Sequence, residues 1–312
     1  MKGFIAVDGG GSKTEVVLVN VLGHVLAREI VNCSNPNDVG MEQAYTTLND
    51  VLKRLLDKKE IEVTSIFLAI AGIEFGNSKE LLKQKLTESL NFNNIHIDGD
   101  LASVKELGLG DYKDGVVVIA GTGFNMAIKN NFNFSHVGGW GYLADDFFSG
   151  FDLGKEALVR ASRAINGIDK DTQLVSLFEA HFNNSLWYSM AQIYNEGIKG
   201  VASLSRLVFE AYLNNDEVAK EIVDTRINKL VDIIKDKTSK IINPIRICLF
   251  GGIFENNSFI VDKMKALLGD SYIVEVTNRR TIYGTVSLGI KSIKEPNEEF
   301  YINFNKSYKE WN

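Results

Sequence analysis

The residues best suited to chemistry lie near the start of the sequence, in the segment DGGGSKT at residues 8–14. It combines a carboxylate, three glycines, two hydroxyls and an ammonium group. Open backbone N–H groups beside a hydroxyl and an ammonium suit an anion such as phosphate, and the carboxylate of Asp8 suits a hydrated cation. The segment therefore favours a phosphate-bearing ligand, with a plain glycine hairpin that binds nothing as the alternative.

Two common phosphate-binding loops do not fit this segment. A Walker A loop has a glycine directly before its Lys-Thr pair and a helix after it, but Ser12 precedes Lys13 and residues 15–19 are typical of a strand. A dinucleotide-binding fingerprint requires a further glycine and again a helix. The pattern instead predicts a β-hairpin, with strands at 4–7 and 15–19 and a turn at 9–11.

The elements that must position this turn follow from periodicity and turn residues. A second apolar hairpin, with strands at 115–120 and 125–128 around the turn Gly121-Thr122-Gly123, predicts an internally duplicated fold. Residues 153–240 are mostly helical, and 295–312 receive no assignment. The other predicted strands are 24–31, 65–71, 95–98, 245–250 and 272–276, and the other predicted helices are 42–56, 78–90, 100–107, 258–268 and 283–291.

Composition excludes several classes of function. The 312 residues are enough for two domains, and 45% hydrophobic with 24% charged residues is typical of a soluble globular protein. A net charge of −6 without a basic block argues against nucleic acid, and no apolar run approaches the roughly 18 residues of a membrane span. Because Cys33 and Cys248 are far apart and the first residues enter a strand directly, we expect a cytoplasmic protein without a signal peptide.

Seven segments in a fixed order carry a resemblance to a known family. Three glycine-rich turns that each follow a strand are typical of the superfamily of sugar kinases, heat-shock ATPases and actin, where they surround ATP. More narrowly, the sequence resembles the N-acetylglucosamine kinase-like group of the BadF/BadG/BcrA/BcrD-type ATPases. The segments are DGGGSKT (8–14), SNPNDVG (34–40), AIAG (69–72), GDLAS (99–103), AGTGFN (120–125), GGWGYLADDFFSG (138–150) and FGGIF (250–254).

The resemblance implies an α/β chain with a duplicated, two-lobed ribonuclease H-like (actin-like ATPase) fold and an active-site cleft between the lobes. It implies an N-terminal lobe at 1–112, joined by the C-terminal segment 292–312, that contacts sugar and phosphate. The C-terminal lobe at 113–291 would bind the nucleotide and contain a helical insertion. ATP and Mg²⁺ are the implied cofactors, the small-molecule partner is an amino sugar, and a homodimer is expected by analogy only.

The resemblance also implies roles for individual residues. Asp8 would hold hydrated Mg²⁺, and Asp100 would be the base that accepts the proton of the attacking sugar hydroxyl. Asp100 could also be a helix N-cap, and Asp98 is its rival as the base. The implied nucleotide contacts are Gly10, Gly11, Ser12, Lys13, Thr14, Gly121, Thr122, Gly123, Gly251 and Gly252. The implied sugar contacts are Asn35, Asn125, Gly139, Trp140 and Asp146, although Trp140 could be a core residue and the two asparagines could cap turns.

One segment departs from the family pattern. The usual Gly-Asp-Glu-Gly-Ser after Gly-Trp-Gly becomes Asp145-Asp146-Phe147-Phe148-Ser149. If the two phenylalanines face the site, the pocket is smaller or more apolar, and if they face the core, the change is silent.

The segments together favour an ATP-dependent kinase that converts N-acetylglucosamine to its 6-phosphate. Glucosamine and N-acetylmuramic acid are the alternative substrates. Two hypotheses of another class are an ATPase that activates a partner enzyme and a regulatory protein that has lost the chemistry. The activators carry closely placed cysteines for an iron–sulfur cluster, which Cys33 and Cys248 do not provide.

Overall fold

The computed structural model of the protein describes residues 1–144, 147–242 and 244–311. These residues form two compact units, the first combining Met1–Gly110 with Arg279–Asn312 and the second consisting of Asp111–Asn278. The strands are β1 (Lys2–Gly9), β2 (Lys13–Asn20), β3 (Val25–Asn32), β4 (Glu62–Ile70), β5 (Ile95–Gly99), β6 (Gly115–Ala120), β7 (Phe124–Asn130), β8 (Asn133–Gly138), β9 (Ile245–Phe250) and β10 (Tyr272–Val276). The helices are α1 (Pro36–Val39), α2 (Met41–Leu56), α3 (Ser78–Leu90), α4 (Asp100–Leu109), α5 (Gly150–Ile165), α6 (Gln173–Phe182), α7 (Leu186–Ser203), α8 (Ser205–Leu213), α9 (Glu217–Thr238), α10 (Gly252–Glu255), α11 (Ser258–Leu268), α12 (Ile282–Lys291) and α13 (Glu298–Lys309).

The two sheets share one topology. The first has the strand order β3-β2-β1-β4-β5, and the second has the order β8-β7-β6-β9-β10. In each sheet the first three strands form an antiparallel meander, and the last two run parallel to the first strand. The α/β class and the predicted internal duplication are thereby confirmed.

Strand β1 of the first sheet is buried on both faces. Alternate residues of β1 point to opposite sides, so that Ile5 and Val7 join a core with α2 and α3, while Phe4 and Ala6 join a core with α12 and α13. Because neither face meets water, β1 is a continuous apolar run, as expected for a strand with a parallel neighbour. The carboxyl end of β1, where Asp8 lies, is therefore held from both sides.

The return of the chain to the first unit begins at Arg279, whereas the sequence analysis placed residues up to 291 in the second unit. The reason is the small-residue face of α12. A Cβ on Gly284 would clash with the Ser103 carbonyl of α4, and a Cβ on Gly289 would come within 2.7 Å of the Phe4 ring in β1. These close approaches seat α12 on the first sheet.

Strand β8, helix α13 and the four-residue helices α1 and α10 were not predicted. Strand β8 is largely exposed and lacks the apolar alternation that signals a half-buried strand. Helix α13 occupies the tail that received no assignment, and it buries Phe300, Phe304 and Tyr308 against the first sheet.

The second unit packs helices α5 to α9 and α11 around one large core with its sheet. Helix α9 contributes Ile222, Ile227, Leu230 and Ile234 to this core. Among the described residues, no helix is both long and apolar enough to cross a lipid bilayer.

Candidate active site

The first glycine turn is a β-hairpin turn, as predicted. Strands β1 and β2 pair antiparallel as far as Gly9 opposite Thr14, and the Gly10 N–H donates to the Lys13 carbonyl at 3.0 Å. The Thr14 hydroxyl is buried and donates to Ser34 Oγ at 2.7 Å, so it anchors the turn to the following loop. The side chain of Thr14 is thus engaged internally, although it was expected to contact phosphate. Ser12 and Lys13 have exposed side chains.

The loop at residues 34–38 lies against this turn. Asn35 is the N-cap of α1, where its Oδ1 accepts from the Asn37 N–H at 3.0 Å and its Nδ2 donates to Asp38 Oδ2 at 3.1 Å. Asn37 Nδ2 in turn donates to the Gly72 carbonyl at 3.0 Å. Asn35 therefore caps a turn, the alternative role considered for it, and it remains only partly buried.

Asp8 is the next-to-last residue of β1 and is paired with Ala69 of β4, which is itself paired with Asp98 of β5. Its Oδ2 accepts a hydrogen bond from the Thr281 hydroxyl. Burial raises the pKa of the Asp8 carboxyl to about 6, an effect that the bond from Thr281 opposes and that the charge on Asp100 reinforces. Asp8 and Asp100 lie at the carboxyl ends of the parallel strands β1 and β5, and we refer to the two carboxylates as one acidic site.

Asp100 is the first residue of α4, and the N-cap position belongs to Gly99. Asp100 Oδ1 accepts from the Leu101 N–H at 2.9 Å. Burial raises the pKa of Asp100, backbone hydrogen bonds oppose that rise, and the nearby Glu74 adds to it. A carboxylate with a raised pKa next to a second acid is typical of a group that takes up a proton during a reaction.

The rival carboxylate has different surroundings. The side chain of Asp98 is 45% exposed, and its Oδ1 forms an ion pair with Lys79 Nζ at 3.2 Å. The same oxygen accepts from the Gly99 N–H at 3.1 Å. Asp98 therefore belongs to an ion pair, and the raised pKa of Asp100 makes Asp100 the better candidate for a base.

The second glycine turn follows β6 in the second unit. The Gly121 N–H donates to the Gly123 carbonyl at 2.9 Å, and the first turn of α5 donates to this segment, from Gly150 N–H to the Gly121 carbonyl at 2.7 Å and from Phe151 N–H to the Thr122 carbonyl at 3.2 Å. Because α5 holds the carbonyl side of the turn, the exposed Thr122 and Gly123 keep their outer face open.

The third glycine turn lies beside the second. Strands β6 and β9 pair parallel up to Ile119 opposite Phe250, so the turns that follow them share one sheet edge. Gly251 has φ of +95°, and a Cβ there would clash with the Ala120 carbonyl oxygen. Only glycine fits this position without a backbone shift. Two of the turns that were predicted to contact the nucleotide therefore lie side by side in the second unit. Gly252, in the second of these turns, is the first residue of α10.

The predicted sugar contacts of the second unit cluster around β7 and β8. Asn125 lies opposite Gly138, and a Cβ on Gly139 would come within 2.9 Å of Asn125 Nδ2. Asn125 Oδ1 is buried without a hydrogen-bond donor among the described residues. Trp140 is 68% exposed, so it is not a core tryptophan. Asp146 lies outside the described residues.

The two phenylalanines that depart from the family pattern face the core. Phe148 is fully buried and lies 5.8 Å from the Phe254 ring centroid. Phe147 packs edge-on against Phe124 at 5.8 Å. Phe148 has φ of +61°, a conformation that glycine adopts easily and a bulky residue rarely does. The described part of this loop therefore gives no reason to expect a smaller pocket.

The residues present fit a Mg²⁺-nucleotide. Mg²⁺ is usually bound by one or two carboxylates together with water and phosphate oxygens, and Asp8 with Asp100 supplies that kind of donor set. The open glycine turns leave backbone N–H groups for phosphate, as phosphate-binding loops do.

The sequence analysis missed Thr281, which touches Asp8, and the neighbouring Arg280, whose charge lowers the pKa of Asp8. The only local signal is the run Arg279-Arg280-Thr281 directly before a helix. That pattern alone does not indicate contact with a residue near the start of the chain.

The chain is similar in sequence to two sugar kinases and similar in fold to a third. The chain is 29% identical over 292 residues to the N-acetyl-D-glucosamine kinase of Dictyostelium discoideum, covering 86% of this chain and 91% of that protein. It is 25% identical over 289 residues to the N-acetylmuramic acid/N-acetylglucosamine kinase of Clostridium acetobutylicum, covering 87% and 92%. The crystal structure of the ROK hexokinase from Thermus thermophilus has a similar fold, with a TM-score of 0.60 at 13% identity over 92% of this chain and 98% of that one.

The sequence also matches a model of a protein family. A model of the BadF/BadG/BcrA/BcrD ATPase family matches residues 5–283, which is most of the chain. The matched range contains the three glycine turns and both acidic residues of the first unit. The protein therefore belongs to the BadF/BadG/BcrA/BcrD ATPase family.

Proposed function

We propose that the protein catalyses ATP-dependent phosphorylation of an amino sugar, with N-acetylglucosamine as the first candidate and its 6-hydroxyl as the acceptor. The observation that carries the proposal is the acidic site of Asp8 and Asp100 at the end of β1 and the start of α4, in a chain of this family. Phosphoryl transfer requires a base for the attacking hydroxyl and charge neutralisation at the phosphates. The two carboxylates and the adjacent glycine turn have the chemistry for both tasks.

In the first unit, Asp100 would accept the proton of the sugar hydroxyl. Its raised pKa supports this role, because a carboxylate with a raised pKa accepts a proton more readily than an ordinary one. Asp8 would hold hydrated Mg²⁺, which when bound neutralises phosphate charge. The backbone N–H groups of Gly11 and Ser12, with the exposed Lys13 ammonium, would bind phosphate oxygens.

In the second unit, the adjacent turns at Gly121–Gly123 and Gly251–Gly252 would bind the nucleotide. The buried, unpartnered Asn125 Oδ1 supports a sugar contact, since a buried acceptor without a donor is costly unless a ligand supplies one. A sugar hydroxyl is a suitable donor. The exposed ring of Trp140 would offer an apolar wall to a sugar face.

N-acetylmuramic acid and glucosamine are the alternative substrates. The Clostridium relative is named for both N-acetylmuramic acid and N-acetylglucosamine. This name supports N-acetylmuramic acid as an alternative substrate. The burial of Phe148 and Phe147 in the second-unit core removes one argument for an altered sugar pocket.

A partner-activating ATPase and a regulatory protein without turnover are the remaining alternatives. The chain has only two cysteines, Cys33 and Cys248, and both are buried, which argues against a cluster-bearing activator. We include a cytoplasmic location and a homodimer in the proposal, and light scattering in solution would test the assembly.

The decisive experiment measures ADP release from Mg²⁺-ATP with N-acetylglucosamine, N-acetylmuramic acid, glucosamine, N-acetylmannosamine, glucose or no sugar. We expect release with one amino sugar and little without sugar. Asp100→Asn should lower turnover by roughly 10²- to 10⁴-fold while nucleotide binding persists. Asp98→Asn is the matched control and should leave turnover within a few-fold of wild type.

Three outcomes would change this conclusion. Equal ADP release with and without sugar would favour the partner-dependent ATPase. No release under any condition, with nucleotide still bound, would favour the regulatory protein. Loss of turnover in Asp98→Asn but not in Asp100→Asn would move the base to Asp98.

A further inference from the structure

The side chain of Asp8 is held by a residue from the opposite end of the chain. The Thr281 hydroxyl donates a hydrogen bond to Asp8 Oδ2, although the two residues are 273 positions apart. This bond engages Oδ2 and not the other oxygen, Oδ1. Oδ1 is therefore the oxygen that the bond from Thr281 leaves for a ligand.

Thr281 lies at the start of α12, a helix that packs closely on α4. It is the N-cap residue of α12, and that helix packs closely on α4 because Gly284 has no side chain to clash with the Ser103 carbonyl. One turn along the helix, Thr285 forms a buried hydrogen bond with Ser103 Oγ at 2.8 Å. The Thr281 hydroxyl is thus fixed relative to the end of β1.

A buried ionic cluster fixes the other side of the same segment. Arg280 Nη2 lies 2.7 Å from Oε2 of Glu15, which is buried and stands directly opposite Asp8 in the β1–β2 hairpin. Glu15 Oε1 accepts from Arg28 Nε at 2.6 Å and from the Tyr308 hydroxyl at 2.5 Å. We call Glu15, Arg28, Arg280 and Tyr308 the Glu15 clamp. It ties the segment that enters α12, and helix α13, to the hairpin that bears Asp8.

We propose that Thr281 is a positioning residue, which holds the Asp8 carboxylate in one orientation so that Oδ1 serves a hydrated divalent cation, and that the Glu15 clamp keeps Thr281 in place. This inference deepens the proposed kinase function and rests on it for the identity of the ligand. Mg²⁺ tolerates little departure from octahedral geometry. A carboxylate that turns between orientations would therefore bind it less well.

The test uses three variants of the full-length protein. Thr281→Val removes the hydroxyl with almost no change in shape, and Thr281→Ser restores the hydroxyl. Ser292→Ala is the control, because it removes a hydroxyl from the far end of the same helix, where that group bonds Ser65 Oγ and the backbone. Binding of Mn²⁺, which shares the oxygen ligands of Mg²⁺, is measured by electron paramagnetic resonance in the presence of ADP, and kcat is measured against Mg²⁺ concentration.

We expect Thr281→Val to weaken Mn²⁺ binding by about 10- to 100-fold, the usual effect of removing a partner of a metal-binding group. Thr281→Ser should bind Mn²⁺ within a few-fold of wild type, and Ser292→Ala should lower the melting temperature without changing the affinity. Should Thr281→Val fail to fold, Thr281→Ala replaces it.

Equal Mn²⁺ affinity in Thr281→Val and wild type would overturn the proposal. So would an equal loss in Ser292→Ala, or wild-type protein that binds no Mn²⁺ with ADP. Intact Mn²⁺ binding without sugar-dependent ADP release would instead reject the kinase function, and the Mn²⁺ affinities of the variants would still decide the role of Thr281.

Discussion

Replacement of Asp8 by asparagine should stabilise the folded protein at neutral pH while it removes metal binding. Burial raises the pKa of the Asp8 carboxyl from 3.8 to about 6, so the folded state resists ionisation of this group more than the unfolded state does. The resulting penalty is absent well below pH 3.8, grows between about pH 4 and pH 6, and is constant above pH 6. Asparagine carries no charge and still accepts a hydrogen bond from Thr281.

The magnitude follows from the shift of roughly two pKa units. Each unit corresponds to about 1.4 kcal/mol, so Asp8→Asn should raise the free energy of unfolding by up to about 3 kcal/mol at pH 7.5. At pH 4.5 the same substitution should contribute only about 1 kcal/mol, because the wild-type carboxyl is then largely protonated in the folded state. The stabilisation by Asp8→Asn should therefore increase as the pH rises from 4.5 to 7.5.

The assay is urea unfolding followed by circular dichroism at pH 4.5 and pH 7.5, at constant ionic strength and with EDTA present. Asp50→Asn, at an exposed position of α2, serves as the control and should change stability by less than about 0.5 kcal/mol at both pH values. An Asp8→Asn variant that is less stable than wild type at pH 7.5, or equally stabilised at both pH values, would refute the reasoning.

Three further substitutions test other parts of the site. Gly251→Ala places a Cβ against the Ala120 carbonyl at a positive φ and should weaken ADP binding at least about 10-fold by calorimetry, as expected when backbone at a binding turn must shift; unchanged affinity would exclude this turn from the nucleotide site. Phe148→Gly should destabilise the protein by about 2–4 kcal/mol in thermal unfolding, since the lost core packing outweighs the relieved backbone strain, and it should leave the order of sugar preference unchanged. Tyr308→Phe removes one donor to the buried Glu15 and should cost about 1–3 kcal/mol of stability; a neutral effect would contradict the importance of this contact.

Most strands and helices could be predicted because their patterns are local. The two apolar hairpins with glycine turns could be recognised in the sequence, and from them we predicted the internal duplication. Strand β8 was missed because its side chains face solvent and show no alternation. Helix α13 did carry a signal, since Phe300, Phe304 and Tyr308 recur every four residues and mark one face of a helix.

The candidate site likewise has features that a local pattern predicts and features that depend on how distant segments pack. Each glycine turn is a contiguous segment, so its position after a strand could be inferred, and the nearness of Asp8 to Asp100 follows from the parallel strands that precede them. The bond from Thr281 to Asp8 depends on how α12 packs, which no local pattern specifies. The internal use of the Thr14 hydroxyl likewise depends on Ser34, a residue from a different loop.

The first unit is assembled from two separate stretches of chain, and this has a consequence for biosynthesis. One face of its sheet is covered by residues 282–308, which a ribosome adds only after the whole of the second unit. At the usual rate of translation, the apolar Phe4 and Val17 wait about 15 to 60 s for their covering helices, while residues 111–278 can already fold. During that interval Glu15 and Arg28 lack two members of their cluster. The nascent first unit should therefore be a substrate for chaperones, and protease protection of stalled chains should appear in the second unit first.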